Sequence, residues 1–119
     1  MNREPDDKKS TRDVIQWARE ELGLSVEDIA EIIDVECSTI DQWPGKEGNL
    51  PKRNRSNVER LQTLKYHMES VFPDAEIRDE WLYHPSDNFD GDTPVEKLRN
   101  GELEPLIRQL ATFDSGAFV

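Results

Sequence analysis

The chain contains one cysteine, Cys37, in 119 residues. A lone thiol makes no internal disulfide, so a stapled secreted scaffold is excluded and a reducing cytoplasm is the expected location. Metal ligands are equally scarce. Cys37, His67 and His84 lie far apart and match no zinc spacing. No run of about 18 apolar residues exists, which leaves no transmembrane helix. The opening MNREPDDKKS lacks the apolar stretch of a secretory signal. Glycine-rich phosphate loops and Ser/His/Asp motifs are missing as well, so neither an enzyme nor a cofactor is expected. The loop SDNFDGD resembles the start of a calcium loop, but with Gly91 in the sixth place the twelfth is Lys97, which cannot replace a bidentate glutamate.

Acid is in excess. There are 26 acidic side chains against 15 basic ones, a net charge of -11. Phosphates repel such a chain, which excludes a protein that coats nucleic acid non-specifically. It leaves room for binding through one local basic face, and it fits a salt-adapted source in which screening relieves self-repulsion. The length suits one domain or two small ones, with a core that suffices if most of the chain is helical.

Helix starts are written in one idiom. Ser10 precedes Asp13, Ser25 precedes Asp28, Ser56 precedes Glu59, and Thr93 precedes Glu96. In each, a hydroxyl can accept from the third helical amide while the acid reaches back to the cap amide. Pro94 after Thr93 suits a first helical position. Apolar residues then recur at helical spacing: Val14, Ile15, Ala18 and Leu22; Val26, Ile29, Ala30 and Ile33; Ile40 and Trp43; and Val58, Leu61, Leu64, Met68 and Phe72. Further helices carry Ile77, Trp81 and Leu82, then Val95 and Leu98, then Leu103, Leu106, Ile107, Leu110 and Phe113, with Pro105 in a first turn. Nothing alternates with period two, so the predicted class is all-α. Residues 1–9 read as a loose arm and Lys46–Arg55 as a loop. The composition shift near Pro73 divides an N-terminal domain, 10–72, from a C-terminal one, 74–119.

The segment Ser25 to Trp43 reads as helix, tight turn, helix. Ala30 is small enough for a helix crossing, Asp34 tolerates a left-handed turn, and Val35 and Ile40 point inward. This resembles the Xre/Cro-type helix-turn-helix, in which the second helix enters the major groove. The resemblance implies base or phosphate contacts from Ser38, Thr39 and Gln42, with Glu36 and Asp41 as opposing carboxylates. A basic segment follows. Between Lys46 and Lys65 stand Lys46, Lys52, Arg53, Arg55, Arg60 and Lys65 against Glu47 and Glu59: 6 minus 2, or +4, which leaves -15 for the rest. Lys46, Lys52, Arg53 and Arg55 are the expected phosphate contacts.

Residues 81–116, WLYHPSDNFDGDTPVEKLRNGELEPLIRQLATFDSG, carry a second pattern. Trp81, Leu82, Phe89, Gly91, Thr93, Pro94, Leu98, Gly101, Glu102, Leu110 and Gly116 resemble the toxin-binding domain of the MbcA/ParS/Xre antitoxin family. Pro105 departs from the usual run of helix formers there. The order of parts agrees, an Xre-like helix-turn-helix first and the toxin-binding domain last. The resemblance implies a type II antitoxin that binds over the active-site entrance of a RES-domain, NAD-consuming toxin. It also implies repression of its own operon through operator DNA, as a homodimer or within a toxin–antitoxin hetero-oligomer. The expected toxin contacts are an exposed Leu103 or Ile107, with Arg108, Phe113, Phe118 and Val119. The apolar sequence Ala117-Phe118-Val119 fits burial against a partner. The competing reading is a helix-turn-helix regulator whose C-terminal half serves only for dimerisation.

Overall fold

The computed structural model describes residues 7–41 and 52–115. Among the described residues the regular structure is helical throughout: α1 (Asp7–Glu20), α2 (Val26–Ile33), α3 (Cys37–Asp41), α4 (Lys52–Val71), α5 (Ala75–Leu82), a 3-10 turn (Asp87–Phe89), α6 (Pro94–Arg99) and α7 (Glu104–Ser115). No helix among them is long and apolar enough to cross a membrane. Two compact units result, one up to Glu59 and one from Arg60 onward. The division falls within α4, some twelve residues before the composition shift at Pro73 that marks a boundary in the sequence. Composition follows what a helix exposes, and α4 changes from one core to the other without a break in the helix.

In the first unit α1 buries Thr11, Val14, Ile15, Trp17 and Ala18, the stripe that a period of 3.6 places on one face. Gly23 takes φ 70°, and the Leu24 amide returns to the Ala18 carbonyl at 3.1 Å, a left-handed stop that L side chains resist. α2 opens with a complete capping box: the Ser25 hydroxyl accepts from the Asp28 amide at 3.0 Å, and the Asp28 carboxylate accepts from the Ser25 amide at 3.2 Å.

Two of the four expected caps fail. α1 starts at Asp7, so Ser10 lies inside it, and part of the expected arm, residues 7–9, is helical. Lysines at 8 and 9 are good helix formers and carry the helix past the serine. α4 starts at Lys52, so Ser56 is also internal and the expected loop ends earlier than Arg55. The cause is tertiary. The Asn54 side-chain amide donates to the carbonyls of Ile33 (3.0 Å) and Asp34 (2.8 Å), and that of Asn57 donates to Ile33 at 3.0 Å. These bonds satisfy the C-terminal carbonyls of α2 and hold the first turns of α4 helical, overriding a local cap signal.

In the second unit the core is Leu61, Leu64, Met68, Leu82, Phe89, Val95, Leu98, Leu103, Leu106 and Leu110. Asp74 caps α5, accepting from the Glu76 amide at 2.9 Å. Ile77 is 53% exposed, against the expectation of an inward residue, and only Leu82 of α5 is fully buried. Trp81 is half-buried against Phe72, with ring centroids 5.3 Å apart. α6 has the second capping box, Thr93 with Glu96, and Pro94 at its start. Gly101 at φ 78° ends it. Pro105 is the second residue of α7, where its missing amide would have had no intrahelical partner.

Candidate functional site

In the first unit α2, the turn and α3 form the candidate nucleic-acid surface. Asp34 adopts φ 69° and ψ 54°, and its amide bonds the Ala30 carbonyl at 2.7 Å. The left-handed turn predicted at that residue is therefore present, and aspartate tolerates it better than most residues. Ala30 and Ile40 are buried, Val35 half-buried. Ser38 is exposed and Thr39 half-buried on α3, flanked by exposed Glu36 and Asp41. Arg55 is exposed on α4, and Lys52 and Arg53 fall in its first turn. Gln42 and Lys46 lie outside the described residues. Two further cations of the basic segment are engaged: Arg60 with Glu104 at 3.1 Å and Lys65 with Glu69 at 3.2 Å. An open cleft of about 560 Å³ is lined by Arg12, Ile15, Gln16 and Arg19 of α1 with Ser25, Ile40 and Asp41. Sequence reasoning assigned no role to Arg12 or Arg19. Their seven-residue spacing, which puts both on one helix face, is the signal that would have found them.

In the second unit α7 is the candidate protein-binding element. Leu103, expected as an exposed contact, is only 5% exposed and belongs to the core. It lies just ahead of α7, where its apolar side chain closes the inner face that Leu106 and Leu110 continue. Ile107 is half-buried, Arg108 exposed and Phe113 half-buried, so these three remain on the outer side. Phe118 and Val119 lie outside the described residues. A groove of about 550 Å³ runs along α7, lined by Asn88, Phe89, Pro105, Arg108, Gln109, Thr112 and Phe113. Phe113 also lines a second cleft with Ser70, Val71 and Asp114.

The acidic loop before α6 has a defined shape. The Ser86 hydroxyl accepts from the Asn88 amide at 3.1 Å, the Ser86 amide donates to the Asp92 carbonyl at 3.0 Å, and Phe89 anchors the loop in the core. Lys97 joins the loop to the far end of α6, 3.2 Å from Glu102 and 3.6 Å from Asp92. Its hydrogen bond to Glu102 leads the causes that raise its pKa above the ordinary lysine value.

A second polar cluster fixes the last turn of α7. Ser70 donates to Asp114 at 2.7 Å, and His67 Nδ1 lies 3.0 Å from the other carboxylate oxygen. The Ser70 hydroxyl, followed by His67, lowers the Asp114 pKa below the ordinary carboxylate value. The carboxylate stands between hydroxyl and imidazole. The Ser70 O–H is therefore committed to the Asp114 carboxylate. The cluster acts as a clamp between α4 and α7.

Both candidate surfaces are carried by an all-helical chain among the described residues. The same fold occurs in the crystal structure of the M. tuberculosis MbcT–MbcA toxin–antitoxin complex, where one chain superposes with a TM-score of 0.57 at 21% identity, covering 91% of this chain and 96% of that one. In sequence the chain is similar to the mycobacterial cidal antitoxin MbcA of Mycobacterium bovis and of Mycobacterium tuberculosis. It is 26% identical to each over 110 residues, 88% of this chain and 92% of theirs. No family model matches the chain. At that coverage the likeness runs through both units rather than through one shared helix pair.

Proposed function

We propose that this chain is the antitoxin of a type II toxin–antitoxin pair. It neutralises a RES-domain, NAD-consuming toxin by binding over the active-site entrance, and it represses its own operon from the cytoplasm as a dimer or a toxin–antitoxin hetero-oligomer. The observation that carries the reading is the similarity to MbcA across both units. Toxin contact is assigned to Ile107, Arg108, Phe113, Phe118 and Val119. Operator contact is assigned to Ser38, Thr39, Gln42, Lys46, Lys52, Arg53 and Arg55. Division of labour supports this, since the outer face of α7 and the outer face of α3 belong to different units.

Co-expression with the protein encoded beside it is the test. The chain should rescue growth from a neighbouring RES-type toxin and co-purify with it. Phe113→Ala should abolish rescue while leaving operator binding intact. A variant that loses operator binding alone would favour the plain helix-turn-helix regulator with a C-terminal dimerisation domain. The absence of both a RES-type neighbour and a stable complex would remove the toxin assignment.

A further inference from the structure

Of the eight residues of α5, only Leu82 is fully buried. The other large apolar side chains of the helix stay toward solvent. Ile77 is 53% exposed, and Trp81, one turn further along the same face, is half-buried. The Trp81 ring lies against Phe72, with centroids 5.3 Å apart. Phe72 follows Val71, which shares a cleft with Phe113 of α7. Single exposed apolar residues are ordinary, but these five connect into one apolar strip across the second unit. Acid runs beside it. Glu76 and Glu80 are exposed and also one turn apart, each one position ahead of Ile77 or Trp81, so an acidic row borders the apolar one. Arg78, the cation of α5, pairs with Asp79 at 3.1 Å and keeps only 11% of its side chain exposed. The helix carries one basic and three acidic side chains, 1 minus 3, or -2, and its outward charge is negative.

We infer that this strip is a second docking surface for a protein partner, and that it takes a segment carrying apolar side chains beside a row of lysines or arginines. The inference rests on the antitoxin reading, on which the partner is the toxin, and it extends the contact from α7 across the end of α4 to α5. Charge decides among occupants. Nucleic acid would bring phosphates against Glu76 and Glu80, which repel them. A second copy paired antiparallel through α5 would set one acidic row against the other. A basic segment instead gains attraction from the carboxylates while its apolar side chains cover Ile77 and Trp81. Aromatic anchors carry much of the energy of such contacts. Phe72 and Trp81 hold each other in place before binding, which lowers the ordering cost of the complex.

The test uses the full chain and the toxin encoded beside it. Ile77→Lys removes the exposed apolar anchor and places a cation beside the acidic row. It should leave the thermal midpoint of the free protein and operator binding unchanged, and weaken the complex about tenfold or more. The double variant Glu76→Gln, Glu80→Gln keeps the shape and removes the charge. It should slow association at low salt, with a difference from wild type that vanishes at high salt, because screening removes the attraction. Unchanged affinity for Ile77→Lys, or unchanged association for the glutamine pair, overturns the inference, and a complex that still depends on Phe113 then leaves the antitoxin reading in place. Conversion of a wild-type dimer to monomer by Ile77→Lys, read by sedimentation, overturns it in favour of self-association. A large fall in the thermal midpoint of free Ile77→Lys also overturns it, since the side chain would then serve the fold. Absence of any complex with the wild-type chain removes both readings together.

Discussion

Asn54 holds the turn that presents α3, and removing it should be expensive. It is 6% exposed and donates two bonds, to Ile33 at 3.0 Å and to Asp34 at 2.8 Å. The Ile33 carbonyl has a second donor in Asn57. Asn54→Ala therefore loses two bonds worth about 1 kcal/mol each from a buried side chain, for a total of about 2–3 kcal/mol. Asn57→Ala removes a donor from a carbonyl that keeps another, and should cost about 0.5–1.5 kcal/mol. Joined in one chain, the two changes also strand Ile33, so the double variant should exceed the sum of the singles. Urea unfolding followed by far-ultraviolet circular dichroism measures all three. In a domain of this size the Asn54 variant should melt roughly 10 °C or more below wild type. The reasoning is refuted if Asn54→Ala costs no more than Asn57→Ala, because Asn54 is the more deeply buried of the two and donates to two carbonyls at the end of α2.

Three further outcomes follow from single residues. Asp34 sits at φ 69°, so Asp34→Val should destabilise by about 1–2 kcal/mol while Asp34→Gly is neutral or stabilising; equal urea midpoints for the two would contradict the left-handed turn. The Asp114 pKa is lowered in the folded protein by Ser70 and then His67, so its contribution is complete above the ordinary carboxylate range and is lost as pH falls through the folded value. The stability gap between wild type and Asp114→Asn should therefore narrow in titrations from about pH 6 to about pH 3, and a gap that widens would rule the clamp out. Operator binding by Lys52→Ala should weaken alike on all sequences, with a salt slope shallower by about 1, whereas Gln42→Ala should relax sequence preference at about 1–3 kcal/mol; a reversed pattern in gel-shift titrations would exchange their roles.

Periodicity and local capping made most of the fold legible. The spacing of Val14, Ala18 and Leu22, the capping boxes at Ser25 and Thr93, and the turn at Asp34 are short-range features, and each needs only its neighbours to operate. Failures came where distant residues intervene. Ser56 reads as a cap until Asn54 and Asn57 reach across more than twenty residues to the end of α2. Ile77 reads as an inward residue, but α5 buries little beyond Leu82, so its periodicity had no core to face. Leu103 reads as a contact because the segment was taken from its family resemblance as partner-facing, and only burial separates it from Ile107. The groove at Gln109 was not legible. It is assembled from α7 and the 3-10 turn, which are brought together only by the folding of the chain between them.

The charge pattern bears differently on the two proposed surfaces. Arg60 and Lys65 pair with Glu104 and Glu69 through exposed or half-exposed side chains. Such pairs contribute little, about 0–1 kcal/mol, so a phosphate could displace them at small cost. The greater obstacle to DNA lies on α3, where exposed Glu36 and Asp41 flank Ser38 and Thr39. Carboxylates there oppose the phosphates that general attraction would recruit, and a chain of net charge -11 adds repulsion at long range. Operator binding must then draw on base contacts and on the local basic segment, with a high ratio of specific to non-specific affinity. The α7 surface meets no such conflict. Its groove mixes the apolar Phe89, Pro105 and Phe113 with the polar Asn88, Arg108, Gln109 and Thr112, a lining without a carboxylate. Of the two proposed activities, operator binding is the one that depends on a narrow patch working against the rest of the chain.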